Sequence, residues 1–101
     1  MPRRSTFTVD ASEIQGIEGA EITFRALTIR EHREWRDDAK STDYDLLASH
    51  VISWRGFVDD DGNDMPSPED EPGILAELYY HEQAELLKLF FQGPDGASAK
   101  N

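Results

Sequence analysis

Alternating hydrophobic and polar positions mark the first part of the chain. Phe7 and Val9 fall on one side of a short β-branched segment, and residues 21–26 alternate in the same way after the turn signals at residues 16–19. A period of two is typical of a half-buried β-strand. We therefore predict a β-hairpin over residues 6–27, which needs a helix packed against it for stability.

The pattern changes to a helical period at Thr28. The sequence Thr-Ile-Arg-Glu at residues 28–31 has the spacing of a capping box, and it predicts a first helix from Ile29 to Asp38. Ser41 or Thr42 is a candidate cap for a second helix. We expect that helix to continue to an exit at Gly56. The apolar residues that share one of its faces are Tyr44, Leu47, Val51 and Trp54.

An acidic turn separates the second helix from a third. The segment Asp61-Gly62-Asn63 has turn chemistry, and Pro72 suits the start of a helix. We predict a long helix from about Gly73 to Phe91, ended by Gly93-Pro94. Its core face comprises Ile74, Leu75, Leu78, Tyr79, Leu86, Leu89 and Phe90. Its apolar arc is widened by Tyr80, Leu87 and Phe91.

These elements predict a small α+β fold that is mainly α, with an N-terminal β-hairpin. About three helices pack on a short antiparallel sheet in a single domain, residues 6–92, whose helical part is residues 28–92. A chain of 101 residues is long enough for one hydrophobic core. We expect residues 1–5 to form a loose arm and residues 93–101 a disordered tail.

The net charge of −11 restricts the possible partners. No Lys or Arg occurs between Arg55 and Lys88, where ten Asp and Glu residues lie. Binding to phosphates requires clustered cations, so we expect neither nucleic acid nor an anionic membrane surface as a partner. No apolar run approaches the ~20 residues of a membrane span, and no apolar segment of a secretory signal follows the first basic residues. The chain has no cysteine, which excludes disulfides and thiolate sites and is compatible with the cytoplasm.

The residues with catalytic or metal-binding chemistry do not form a recognised site. Placing Gly62 on the invariant glycine of a calcium-binding EF-hand loop puts Phe57 first and Pro68 twelfth, where carboxylates are required. The histidines, each on a different predicted helix, are His32, His50 and His81. They lack the spacing of metal ligands, and no Gly-x-Ser-x-Gly elbow accompanies a serine. We therefore expect a non-enzymatic protein without catalytic, cofactor-binding or metal-binding residues.

Large apolar side chains are more numerous than one small core requires. We expect Trp54, Tyr79 and Phe90 to fill the core. Two interpretations, core packing and an exposed or oligomeric groove, stay open for Phe57, Tyr80, Leu87 and Phe91. Contiguous exposed apolar area usually marks a protein interface, and aromatic residues are enriched there.

Two segments of the chain form a recognisable combination: Arg25-Ala26-Leu27-Thr28-Ile29-Arg30-Glu31, and Val-Ile-Ser-Trp-Arg-Gly-Phe-Val-Asp at residues 51–59, followed by Gly62 and Met65-Pro66. Together they resemble the small tail assembly chaperones of long-tailed, siphovirus-type bacteriophages. In that family a strand leads into an Arg-x-Leu-Thr helix start. A Val-x-x-Trp-x-Gly helix end then leads into an acidic glycine turn, a proline and a final helix. The likeness spans about residues 20–92, whereas the long stretch before residue 20 departs from the commonest form.

The resemblance implies a mainly helical, non-enzymatic protein that acts in the host bacterial cytoplasm and is absent from the finished virion. Such chaperones coat the helical tape measure protein, keep its apolar stripes from aggregating and help to recruit tail tube subunits. Binding of an amphipathic helix requires an apolar groove, and an acidic surface keeps the resulting complex in solution. The residues expected to line or border this groove are Trp54, Phe57, Tyr80, Leu87 and Phe91.

Two other functions fit parts of the sequence. A small structural virion protein, such as a head–tail connector or tail completion subunit, would work as a ring of copies of this chain. An acidic inhibitor that mimics DNA would need carboxylates spaced like phosphates along one face. The apolar pairs Tyr79-Tyr80 and Leu86-Leu87 interrupt such a row.

Overall fold

The computed structural model describes residues 5–93, which form a small α+β fold. One layer is a three-stranded antiparallel sheet whose strands lie side by side in the order in which they occur along the chain. Four α-helices and one 3₁₀ helix make up the helical part of the described range. Residues 1–4 of the predicted arm and residues 94–101 of the predicted tail lie outside the described residues.

The first two strands confirm the predicted hairpin. Strand β1 (Thr6–Asp10) pairs antiparallel with strand β2 (Glu21–Arg25), and Val9 lies opposite Ile22. A short helix, α1 (Ser12–Gln15), lies in the connection between them.

One face of the hairpin is apolar and the other is polar, as the alternation of the sequence requires. The buried side chains of the apolar face are Phe7, Val9, Ile22 and Phe24. On the polar face the hydroxyls of Thr8 and Thr23 lie 2.7 Å apart. The apolar face is therefore the one on which the hydrophobic core is built.

Helix α2 (Ile29–Asp37) confirms the predicted first helix and its cap. Thr28 Oγ1 accepts from the backbone N–H of Glu31 at 3.1 Å, and Glu31 Oε1 accepts from the backbone N–H of Thr28 at 3.0 Å. These reciprocal bonds satisfy two backbone donors that the first turn of a helix leaves without partners.

The predicted second helix is wrong beyond residue 50. Helix α3 runs over Asp43–His50, and the chain then enters strand β3 (Val51–Arg55). In β3, Trp54 lies opposite Ile22 of β2. The β-branched pair at the start of β3 favours strand, and pairing with β2 extends the sheet from two strands to three. This long-range pairing overrides a helical spacing that was correct only as far as His50.

The predicted long third helix is two elements. A 3₁₀ helix spans Pro72–Glu77, and α4 spans Tyr80–Gln92. The break falls at Tyr79, whose backbone is extended with φ −72° and ψ 155°. Glu82 Oε1 accepts from the backbone N–H of Tyr79 at 2.9 Å, so the side chain of the new first turn satisfies the donor at the break.

The coarse fold class is thus confirmed, whereas the predicted number of helices is too small. The core lies between the apolar face of the sheet and the helices: Leu46 and Leu47 of α3, Ile74 and Leu75 of the 3₁₀ helix, and Leu86 and Phe90 of α4 are buried. The prediction that Phe90 fills the core is confirmed, and the same prediction for Tyr79 is wrong because half of that residue is exposed. Tyr79 lies outside the core because the chain breaks there instead of continuing a helix.

Candidate partner-binding surface

Two of the five residues expected to line a groove are core residues. Trp54 is 6% exposed and Phe57 is 1% exposed. Their rings are stacked, with centroids 4.4 Å apart and planes within 4° of parallel. Within the described residues the Trp54 Nε1 atom has no hydrogen-bond partner, so apolar contact holds the pair. The expectation that Phe57 lies in an exposed groove is therefore wrong, because β3 directs Trp54 inward and the next turn folds Phe57 against it.

Gly56 makes that turn possible. Its φ is +78°, in the left-handed region that L-residues with side chains seldom adopt. A Cβ atom built on Gly56 would lie 2.9 Å from the Cα atom of Ala20, closer than real Cβ atoms approach backbone. The Trp-x-Gly part of the family-like motif is thus a strand end packed against the hairpin, and not the helix end that the sequence suggested.

The other three expected residues lie along one side of α4. Tyr80, Ala84, Leu87 and Phe91 follow one another at intervals of three or four residues, which places them on one face of a helix. Tyr80 is 81% exposed and Phe91 is 51% exposed, while Ala84 is exposed and Leu87 half-buried. The buried face of α4 is a different one, formed by Glu82, Leu86 and Phe90. We call this set of three exposed residues and the half-buried Leu87, that is Tyr80, Ala84, Leu87 and Phe91, the α4 stripe.

Helix α2 continues this apolar surface next to Phe91. The ring of His32 meets the ring of Phe91 edge to face, with centroids 5.7 Å apart. Ile29, one turn before His32 on α2, is 80% exposed. The three-residue interval places Ile29 and His32 on the same side of α2. The position of Ile29 in the first turn, beside the cap, is the sequence signal for its exposure.

The acidic segment after Phe57 forms a tight hairpin, which confirms the predicted turn. The backbone N–H of Asp59 donates to the carbonyl of Asn63 at 2.9 Å, and the N–H of Met65 donates to the carbonyl of Phe57 at 2.8 Å. Asp59 Oδ1 accepts from the backbone N–H groups of Asp61 and Asn63, each at 2.9 Å. One Asp59 oxygen is thus engaged by the turn itself.

A cleft of about 730 Å³ lies between this acidic hairpin and the start of α4. Its apolar lining residues include Val58, Met65 and Ile74. The carboxylates that line it belong to Asp59, Asp60, Asp61, Asp64, Glu77 and Glu82. None of the described residues that line the cleft is Lys or Arg. The cleft therefore makes the Tyr80 end of the α4 stripe strongly negative.

Two hydrogen-bonded contacts hold the acidic hairpin against α4. The phenol of Tyr79 donates to the carboxylate of Asp60, and this bond raises the pKa of Tyr79 above its ordinary value. Gln15 of α1 donates through Nε2 to Glu82 Oε2 at 2.7 Å and accepts through Oε1 from the backbone N–H of Val58 at 2.9 Å. The acidic cleft and the α4 stripe thus have a fixed position relative to each other.

The histidines are separate and have different surroundings. His50 is buried, with Nδ1 2.8 Å from the carbonyl oxygen of Leu46 and Nε2 3.0 Å from Arg25 Nη2. Because arginine only donates, Nε2 accepts and Nδ1 carries the proton. His81 stacks on Tyr79, and His32 packs on Trp35 and Phe91. Among residues 5–93, no group of three or more His, Asp or Glu side chains is arranged to hold a metal ion.

No protein family, curated protein or solved structure matches this chain. Within the part of the chain that the structure describes, no helix has the length and apolar character required to span a membrane.

Proposed function

We propose that this chain is a tail assembly chaperone of a long-tailed bacteriophage, which binds and solubilises the tape measure protein and helps to recruit tail tube subunits. The α4 stripe carries the proposal. Tyr80, Ala84 and Phe91 expose apolar surface on a helix whose opposite face already packs into the core, so this surface is available to a partner. A surface of this kind accepts the apolar face of an amphipathic helix.

The sizes of the exposed side chains support a protein partner. Two aromatic rings stand at the two ends of the stripe, separated along α4 by about 16 Å at 1.5 Å per residue. That length corresponds to three turns of a docked helix. Aromatic anchors of this type contribute much of the affinity at protein interfaces.

The charge of the molecule supports a carrier role. A net charge of −11 on 101 residues keeps a protein in solution while it covers an apolar partner. We propose accordingly that the chain acts by binding and not by catalysis, in the host cytoplasm, and that it is left out of the mature virion.

Co-expression with the tape measure protein from the same genome tests this function. We expect the tape measure protein to move from the insoluble to the soluble fraction and to co-purify with this chain. A tape measure protein that stays insoluble, together with this chain in purified particles, would contradict the proposal and favour a structural subunit of the virion.

A further inference from the structure

The α4 stripe has a self-complementary order of side-chain sizes. Read in one direction, Tyr80 and Ala84 precede Leu87 and Phe91. If a second copy of α4 lies antiparallel to the first, Tyr80 faces Phe91 of the other copy and Ala84 faces Leu87. A small residue then meets a large one at the centre, which lets the two helices approach closely. A parallel arrangement would instead place Tyr80 against Tyr80 and Ala84 against Ala84, which leaves a gap beside each alanine.

The two ends of the stripe also differ in charge. The Tyr80 end borders the acidic cleft through Tyr79 and His81, and exposed Asp61 and Glu77 line that cleft. The antiparallel arrangement brings this end of one copy to the Phe91 end of the other.

Three cations lie within one helical turn of Phe91 or of the α2 residues on its side of the surface. Lys88 is one turn before Phe91 on α4, and Arg36 is one turn after His32 on α2, the residue that contacts Phe91. Arg33 lies one turn after the exposed Ile29 on α2. Asp37 offsets part of this charge, because it lies 3.7 Å from Arg36. The remaining cations oppose the acidic end of an antiparallel copy, which favours that orientation electrostatically.

We propose that the α4 stripe is covered, in the free protein, by the α4 stripe of a second copy in an antiparallel, two-fold arrangement. The contact is weak, because a strip about 16 Å long and one helix wide buries far less than the ~800 Å² per partner of a stable interface. A partner helix that binds the same stripe displaces the second copy. The pairing itself does not depend on the identity of that partner.

Cysteine cross-linking tests the pairing directly, since the chain has no cysteine of its own. One preparation carries Tyr80→Cys and the other carries Phe91→Cys. In a mixed pair the two cysteines face each other at one end, and the native Tyr80–Phe91 contact remains at the other. A short thiol-specific cross-linker should therefore join the mixed pair and leave each single preparation largely uncross-linked.

A second substitution distinguishes loss of the contact between the two copies from loss of folding. Ala84 is exposed, so Ala84→Glu leaves the core untouched and places a charge at the centre of the proposed contact. Ala84→Glu is added to both the Tyr80→Cys preparation and the Phe91→Cys preparation. Mixing the two should then give no cross-linked pair, while the circular dichroism spectrum of each preparation stays unchanged. Ala48→Glu, at an exposed position of α3, adds the same charge elsewhere and should leave the cross-link intact.

Three results would overturn the pairing. Cross-links within the single preparations would indicate a parallel contact, and an Ala84→Glu variant that still cross-links would indicate another surface. A chain without cysteine substitutions that sediments as a monomer at millimolar concentration would show that the stripe has no second copy on it. Solubilisation of the tape measure protein is measured separately, so either proposal can fail while the other stands.

Discussion

The Trp54–Phe57 pair and the α4 stripe use the same kinds of side chain in opposite ways. Trp54 and Phe57 stack on each other inside the core, next to a glycine that no other residue can replace without a clash. Tyr80 and Phe91 stand on the surface, on a helix that is already anchored by its other face. The first pair stabilises the fold, and the second is available for binding.

The sequence features that identify a fold therefore differ from those that identify a binding surface. The Trp-x-Gly-Phe segment is the most distinctive part of the sequence because its backbone geometry and packing admit few residues. The α4 stripe needs only apolar side chains at helical intervals, a pattern that many sequences satisfy. The residues that suggest a family are therefore not the residues that would contact its partner.

Truncating Phe57 should give the largest loss of stability. Phe57→Ala removes a fully buried ring and its stack on Trp54, and such substitutions cost about 3–5 kcal/mol of unfolding free energy. Urea denaturation followed by tryptophan fluorescence measures the change. Tyr80→Ala, on the exposed stripe, is the matched control and should change stability by roughly 0.5 kcal/mol or less. Equal losses in the two variants would remove the distinction between core and surface aromatics.

Gly56→Ala should have a smaller but clear effect. The substitution forces a Cβ atom into the left-handed region and against the Cα atom of Ala20, at a cost of about 1–3 kcal/mol or more. Gly62→Ala is the control, because Gly62 has φ +82° and no atom within 4 Å of its built Cβ. The difference between the two variants in urea denaturation isolates the contact with Ala20. A Gly62 variant as unstable as the Gly56 variant would mean that backbone strain alone accounts for the loss.

The junction of α2 with the sheet should make a small, pH-dependent contribution. The backbone N–H of Thr28 and the Arg25 guanidinium, 3.0 Å from Glu31 Oε2, lower the pKa of Glu31 to about 2 from an ordinary 4.5. The folded protein therefore holds this proton less tightly than the unfolded chain. The stabilisation is present above pH 4.5 and is lost as the pH falls towards 2.

The size of this contribution is limited by solvent. About a third of the Glu31 side chain, 31%, is exposed to water, so screening reduces its contribution to no more than about 1 kcal/mol. Urea denaturation of Glu31→Gln at neutral and acidic pH should show a deficit at neutral pH that shrinks in acid. Glu34→Gln, on the same helix, provides the control. A deficit that stays constant across pH would assign the effect to the cap geometry instead of the charge.

Local sequence patterns were sufficient to predict several secondary-structure elements. The alternation around Phe7 and Val9 predicted the hairpin, and the Thr28–Glu31 spacing predicted the start of α2. Both signals lie within a few residues, where hydrogen bonding and side-chain direction are set by near neighbours.

The same local patterns could not predict the pairing of strands that are distant in the sequence. Leu47 and Val51 have helical spacing, yet Val51 begins β3 because β2 offers a second edge to pair with. The break at Tyr79 depends on where the 3₁₀ helix meets the core, which no local pattern encodes. Three residues of the expected site, Tyr80, Leu87 and Phe91, lie on one side of α4. The other two are buried in the core, Trp54 as part of β3 and Phe57 in the turn that follows it.

The most direct test of the account is to remove the stripe without touching the core. Tyr80→Ser combined with Phe91→Ser should leave the fold intact, with a stability loss of about 1–1.5 kcal/mol or less, because both residues are at least half exposed. Co-expressed with the tape measure protein, this variant should fail to bring it into the soluble fraction, whereas Ile52→Ser, at an exposed position of β3, should succeed. A folded double variant that solubilises the tape measure protein as well as the unmodified chain does would contradict the assignment of binding to the α4 stripe.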